Sequence, residues 1–399
     1  MNNRDEDLPH RSLVVDTILS KWSPETKTEY VNIEEALDRI IAEDVFSVLD
    51  IPVVRASSWD GVGVISSMFQ DGIPDTTEWE FGKEYVRADT GDDFDDKYDA
   101  VIAIEQVTID NGKIIFDSDL MVTPGMGVRQ KGDSIRKGEL LAKQYTKLIP
   151  SDLAALAAGG VATIRVIKKP IVSFIPTGSE LVPVGTTPKR GQIVDSNSVL
   201  VKNMLHQMGA LPLCFPITKD DMCLLEKTLD EALDRSDIVI LNGGSSKGNE
   251  DFNARLLKQK GDVLFHWVAT APGKPMCVAL VNGKPVINIP GPSIAAYNGM
   301  DWCVQAVVNK IIKQPMPAKK TIKARLAEEI LVPKHMEILC KMEIWKTENG
   351  YEARQAPFMA STVIENLVAS GQYITSFGIG EYKVGEILDI ELLRDENVI

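Results

Sequence analysis

Cysteine and histidine are scarce in this chain, and neither is spaced for metal. The five cysteines, Cys214, Cys223, Cys277, Cys303 and Cys340, include no C-x-x-C pair. Most stand inside apolar runs, the usual setting of buried, reduced thiols. His10, His206, His266 and His335 show no H-x-x-x-H spacing and have no neighbouring cysteine, which argues against a zinc site. Long hydrophobic runs are missing too: none approaches the ~18 apolar residues of a membrane helix. The opening residues Met1 to Asp7 carry no apolar signal core, so the expectation is a cytoplasmic protein that does not span a membrane. Positive charge is in deficit, 43 Lys and Arg against 57 Asp and Glu, for a net charge of -14. Such a chain repels nucleic acid and anionic lipid at long range. An anionic small ligand would need local cations or a bridging metal ion.

What is present is ordinary for a folded domain protein, with 44% hydrophobic and 25% charged residues. At 399 residues there is room for two to four domains. Short β-rich runs at 171–175, 211–215, 238–241, 276–281 and 286–289 alternate with segments 197–208, 221–233, 251–260 and 293–312, whose apolar residues recur at three- and four-residue spacing. That alternation predicts an open, largely parallel α/β sheet, which binds ligands beyond the carboxyl ends of its strands. Ahead of it, 13–19 and part of 28–42 read as helices, and 57–145 as a β-rich module. Within that module a hairpin turns at Asn111-Gly112. An Ala-rich helix is expected over 151–159. After Pro315-Met316-Pro317 the chain turns β-rich again, apart from a helical pattern at 361–369, which suggests a small barrel or sandwich.

Several loops at the predicted sheet edge carry polar chemistry. Asn242-Gly243-Gly244-Ser245-Ser246-Lys247-Gly248 links a strand to a helix and would expose backbone amides at a positive helix end, which suits phosphate. It is neither a P-loop nor G-x-G-x-x-G, and taken alone it is better explained as a tight turn with a charged tip. Thr177-Gly178-Ser179-Glu180 has capping-box spacing, but Pro183 and Gly185 forbid a helix there, which frees Glu180 to be a ligand. Asp195, Asp221 and Asp251 each stand at a helix start, where cap and ligand are both open readings. Lys274 in Ala271-Pro272-Gly273-Lys274-Pro275, and Ile289-Pro290-Gly291-Pro292-Ser293, complete the set. Acids along one edge offer oxygen ligands to a hard cation, and Mg²⁺ commonly takes one or two carboxylates plus ligand phosphates.

These loops resemble those of the molybdopterin molybdenumtransferase family, which includes MoeA and the E domain of gephyrin. The family's D-G-Y-A-V is partly matched by Asp60-Gly61-Val62-Gly63-Val64, and its G-E-D-I by Gly132-Asp133-Ser134-Ile135. T-G-D-E-L is similar to Thr177 through Leu181, and G-Q-I-x-D-x-N is met by Gly191-Gln192-Ile193-Val194-Asp195-Ser196-Asn197. The glycine loop, the Lys274 loop and the Pro290-Gly291 loop resemble S-G-G-V-S-V-G-E-A-D-Y, K-P-G-K-P and L-P-G-N-P. The resemblance implies a four-domain subunit: 1–26 with 146–168 as a helical linker domain, 27–145 as an inserted β-rich module, 169–316 as the α/β molybdopterin-binding domain and 317–399 as a barrel. It implies a homodimer whose clefts are completed by the partner's β module. The implied reaction inserts molybdate into adenylylated molybdopterin, with Mg²⁺ and release of AMP. Asp60, Asp133, Glu180, Asp221 and Asp251 then fall on catalytic positions, with Glu180, Asp221 and Asp251 as metal ligands. Thr177, Gly178, Asp195, Gly243, Gly244, Ser246, Lys247, Gly248, Lys274, Pro290 and Gly291 fall on substrate or phosphate positions. Departures at Val62, Gly63, Ser245, Lys247, Asn249, Ala271 and Ser293 leave a second expectation, a paralogue that binds a pterin or nucleotide without inserting molybdenum.

Overall fold

A computed structural model describes residues 7–110, 113–243, 252–356 and 369–395. They form two compact units, Thr28–Ile167 and Met1–Lys27 with Lys168–Ile399.

The second of these units contains the predicted α/β domain. Its elements run α1 (Arg11–Lys21), β1 (Ile171–Pro176), α2 (Asn197–Gln207), β2 (Leu211–Cys214), α3 (Met222–Arg235), β3 (Ile238–Asn242), α4 (Phe252–Lys260), β4 (Asp262–His266), β5 (Cys277–Val281), β6 (Lys284–Ile289), α5 (Ser293–Gly299) and α6 (Gln305–Ile312). The sheet order is β2-β1-β3-β6-β5-β4, with β2, β1, β3 and β6 mutually parallel, β5 antiparallel to β6, and β4 antiparallel to β5. All five residues of β3 are buried, as a strand covered on both faces requires. From α3, Leu225, Leu229 and Leu233 repeat every four residues and pack over Ile175, Val239 and Leu241. All five expected strands form. A sixth, β4, lay hidden in Asp262-Val263-Leu264-Phe265-His266, which is short and polar at both ends. The helix expected over 293–312 forms but is interrupted by a π turn, Met300–Val304. α1 packs on α6 and β4, within this unit.

The chain then closes a barrel from β7 (Thr321–Leu326), β8 (Glu337–Thr347), β9 (Gly350–Gln355), β10 (Gly371–Ile374) and β11 (Ile387–Leu392). Order β8-β9-β7-β11-β10 returns to β8, because β8 also pairs with β10. Ala324, Leu326, Cys340, Met342 and Ile390 fill its interior. The helical pattern at 361–369 lies outside the described residues up to 368.

In the first unit, the helix expected within 28–42 is replaced by a strand, Thr28–Asn32, and a single 3-10 turn, Ile33–Glu35. The strand is held antiparallel to Thr163–Ile167, so pairing overrides local helical preference, and Asp38 at φ 61° ends the turn region. The Ala-rich helix forms as Pro150–Ala158. Gly61–Val64 lies between Tyr85–Ala88 and Ala100–Ala103, and Val107–Asp110 pairs with Lys113–Phe116. The turn at Asn111-Gly112 lies outside the described residues. Cys214 and Cys223 are exposed, against expectation; Cys277, Cys303 and Cys340 are buried.

Candidate active site

The parallel strands β1, β3 and β6 end together, and the loops beyond Pro176, Asn242 and Ile289 surround a cavity of about 500 Å³. Side-chain amides stitch these loops. Asn242 Nδ2 donates to Pro290 O at 2.8 Å and Ile289 O at 3.3 Å, while its Oδ1 accepts from Asn197 Nδ2 at 2.9 Å. Asn197 Nδ2 also donates to Gly291 O at 2.7 Å. Thr177 donates from both its N–H and its hydroxyl to Asn242 O, each at 2.9 Å. Asn253, fully buried, donates to Gly243 O at 2.9 Å and Thr177 Oγ1 at 3.2 Å. Sequence reasoning missed Asn253 and the amide role of Asn242. A buried Asn opening a helix is locally silent, and only the fold supplies its partners. Asn197, at the cavity wall, has its Oδ1 buried without a hydrogen-bond partner among the described residues.

Glycine is required at one point here. Gly243 has φ +105°, and a Cβ there would stand 2.5 Å from Thr177 O. A Cβ on Gly291 would stand 3.9 Å from the Gly243 Cα, so the two glycine turns run close together. Gly244, Ser246, Lys247, Gly248 and Asp251 lie outside the described residues.

The acids divide by task. Glu180 is exposed and lines the cavity, and no hydrogen bond or ion pair joins its carboxylate to another described residue. Its turn is anchored by Asp220, a residue not anticipated, which accepts from Ser179 N at 3.0 Å and donates its own N–H to Ser179 Oγ at 3.2 Å. Asp195 also lines the cavity, but it accepts from the N–H of Ser198 at 3.0 Å and from the Ser198 hydroxyl, and so is occupied in starting α2. Asp221 caps α3 through Leu224 N at 2.8 Å and is not among the residues lining the cavity. Among the described residues, no three His, Cys, Asp or Glu gather closely enough to hold a metal ion. A second, mostly apolar cavity of about 530 Å³ adjoins the first, sharing Leu181 and Asp195 and lined by Gly178, Pro183, Phe215 and Ile217.

Lys274 does not line either cavity; its ammonium stands 5.5 Å from the Trp267 ring centroid. Its loop is tied to α5, the helix that begins at the cavity, because Asn298 Nδ2 donates to Pro272 O at 2.7 Å. In the other unit, Asp60 accepts from Thr90 N at 2.7 Å and Thr90 Oγ1 at 2.8 Å. Those bonds, with Arg87 nearby, hold its carboxyl below the usual range. Asp133 accepts from Gln130 N at 2.6 Å and closes its own turn. Among the described residues, no helix is long and apolar enough to cross a membrane.

Comparison with known proteins gives the family. Residues 11–160 match the MoeA N-terminal region (domain I and II), and residues 173–310 match a probable molybdopterin binding domain. The molybdopterin molybdenumtransferase of Haemophilus influenzae is 33% identical over 298 residues, covering 72% of this chain and 73% of that protein. The Bacillus subtilis protein of the same name is 27% identical, covering 93% of this chain and 91% of its own. The molybdopterin biosynthesis MoeA protein of Pyrococcus horikosii superposes with TM-score 0.80 at 25% identity, covering 97% of this chain and 100% of that one. With the cavity between the Thr177, Gly243 and Gly291 turns and this similarity along its length, the chain belongs to the molybdopterin molybdenumtransferase family.

Proposed function

We propose that this chain inserts molybdate into adenylylated molybdopterin, with Mg²⁺, and releases AMP. The observation that carries the reading is the cavity at the carboxyl ends of the parallel strands, with Glu180 open to it and two glycine turns clearing its floor. The adjoining apolar cavity extends the site beyond Leu181 and Asp195.

The donor set fits Mg²⁺, because one uncommitted carboxylate beside a phosphate-bearing substrate is enough for an ion that keeps several other oxygen ligands. Glu180 would hold it; the family resemblance adds the carboxylate of Asp251 and the second oxygen of Asp221, although Asp221 does not line the cavity. When bound, Mg²⁺ neutralises charge on the phosphate linkage. The protein's own groups bind and orient: the amide network fixes the three turns around the cavity, and Lys247 would supply a cation to the substrate's phosphate. We further propose a homodimer in which the β module of one subunit, through Asp60, completes the cleft of the other.

Purified protein given Mg²⁺, molybdate and adenylylated molybdopterin should release AMP in a molybdate-dependent manner. Tight binding of the pterin with no such release would overturn the reading in favour of a binding protein.

A further inference from the structure

Helix α5 is shared by the cavity, the Lys274 loop and the barrel. Ser293 and Ile294 line the cavity. Asn298 holds the loop that carries Lys274, through Pro272 O and, at 3.2 Å, Thr270 Oγ1. Between them Tyr297 faces the barrel, where the ammonium of Lys341, on β8, stands 4.3 Å from its ring centroid. Lys341 is only 6% exposed, and a buried ammonium persists only when its charge is answered. It donates to Gln372 Oε1 at 2.9 Å, and Gln372 Nε2 donates to Glu391 Oε2 at 2.8 Å. Glu391 Oε1 pairs with Lys319 at 3.0 Å, and Lys319 pairs with Asp301 Oδ1 at 2.5 Å. Asp301 belongs to the π turn that follows α5, so the network grips one continuous helix at two points.

We propose that Lys341 is a positioning residue for the cavity: its ammonium, seated on Tyr297, fixes α5 against the barrel and so keeps Ser293, Ile294 and the Lys274 loop in binding geometry. A buried apolar side chain would fill the same space on β8 without the cost of desolvating a charge, so packing alone does not explain a lysine here. The charged groups facing it are Glu391 and Asp301, which favour its protonation, and Lys319, which opposes it; Tyr297 supplies the ring. Burial outweighs the acids and brings its pKa from 10.5 down to about 8. The ammonium therefore predominates at neutral pH and is lost as the pH passes about 8.

This inference rests on the molybdenumtransferase reading, and its test uses the full chain titrated with adenylylated molybdopterin between pH 7 and pH 9.5. Wild-type affinity should fall about tenfold across that range, the order expected for a desolvated cation–π contact. Lys341→Met should already be weakened at pH 7 and fall no further, whereas Lys341→Arg should stay tight because its charge persists. Folding stability should move the other way. Deprotonation relieves a buried charge, so the wild-type unfolding midpoint should rise relative to Lys341→Met over the same range. A merely structural lysine would give that stability slope with no change in affinity. Tyr297→Leu provides a second route: it should weaken binding as much as Lys341→Met, and the double variant no more than either alone. A flat wild-type profile, an alkaline fall retained in Lys341→Arg, or additive losses in the double variant would overturn the proposal. A wild type that binds no adenylylated molybdopterin at any pH would instead overturn the functional reading, and this inference with it.

Discussion

At Gly243 a single hydrogen atom decides whether two loops can meet. Adding a methyl group meets Thr177 O at 2.5 Å in a backbone region that L residues avoid, so Gly243→Ala should cost about 1–3 kcal/mol and distort the cavity. Thermal unfolding and pterin titration should both register it; an unchanged midpoint would mean that the turn relaxes freely. Glu180 makes the opposite case, since it is exposed and its carboxylate is joined to no other described residue. Glu180→Gln should leave the unfolding midpoint in place and remove Mg²⁺-dependent AMP release. A variant that turns over normally would take Glu180 out of the metal set. Asp221 serves a cap, so its two jobs need separating. Asn at that position still accepts from Leu224 N, and Asp221→Asn should therefore preserve stability while slowing turnover at least about tenfold if its second oxygen reaches the metal, as proposed. A normal rate would leave Asp221 a helix cap worth about 0.5–2 kcal/mol and nothing more.

At the scale of elements, the site is built where three parallel strands stop, and the strands themselves are interchangeable apolar runs. β1, β3 and β6 are legible in the sequence because each is a short, β-branched stretch between turn residues. β4 was not, because an edge strand with polar ends owes its conformation to β5 beside it. The mistaken helix in 28–42 has the same origin, a local pattern outweighed by a partner more than a hundred residues away. The interruption of the 293–312 helix by a π turn was equally invisible. It presents Asp301 to Lys319, a contact that exists only once the barrel is in place.

At the scale of the molecule, a net charge of -14 supplies no general field that attracts an anionic substrate, which would need local donors or a bridging cation. If the β module of one subunit completes the cleft of another, activity belongs to the pair. Mixing inactive Asp60→Ala subunits with inactive Glu180→Ala subunits should then recover part of the activity. No recovery despite demonstrated subunit exchange would place Asp60 outside any shared site.

The sequence by itself determined the α/β alternation, the closing β domain, the turn glycines and the family likeness, because periodicity and turn chemistry are local and loop motifs are contiguous. Tertiary structure alone decided which polar residues do what. Asp195, Asp220 and Asp221 look alike as acids near helix starts, yet Asp195 starts a helix at the cavity wall, Asp220 ties a turn and Asp221 caps α3. Asn197 and Asn242 stand in recognisable loop motifs and Asn253 in none, yet nothing in the chain shows that their side-chain amides carry the hydrogen bonds that bring three loops together. Whether a carboxylate is free to meet a ligand depends on which backbone N–H groups are near it. Those neighbours come from strands and helices far apart in the chain, so only folding assigns them.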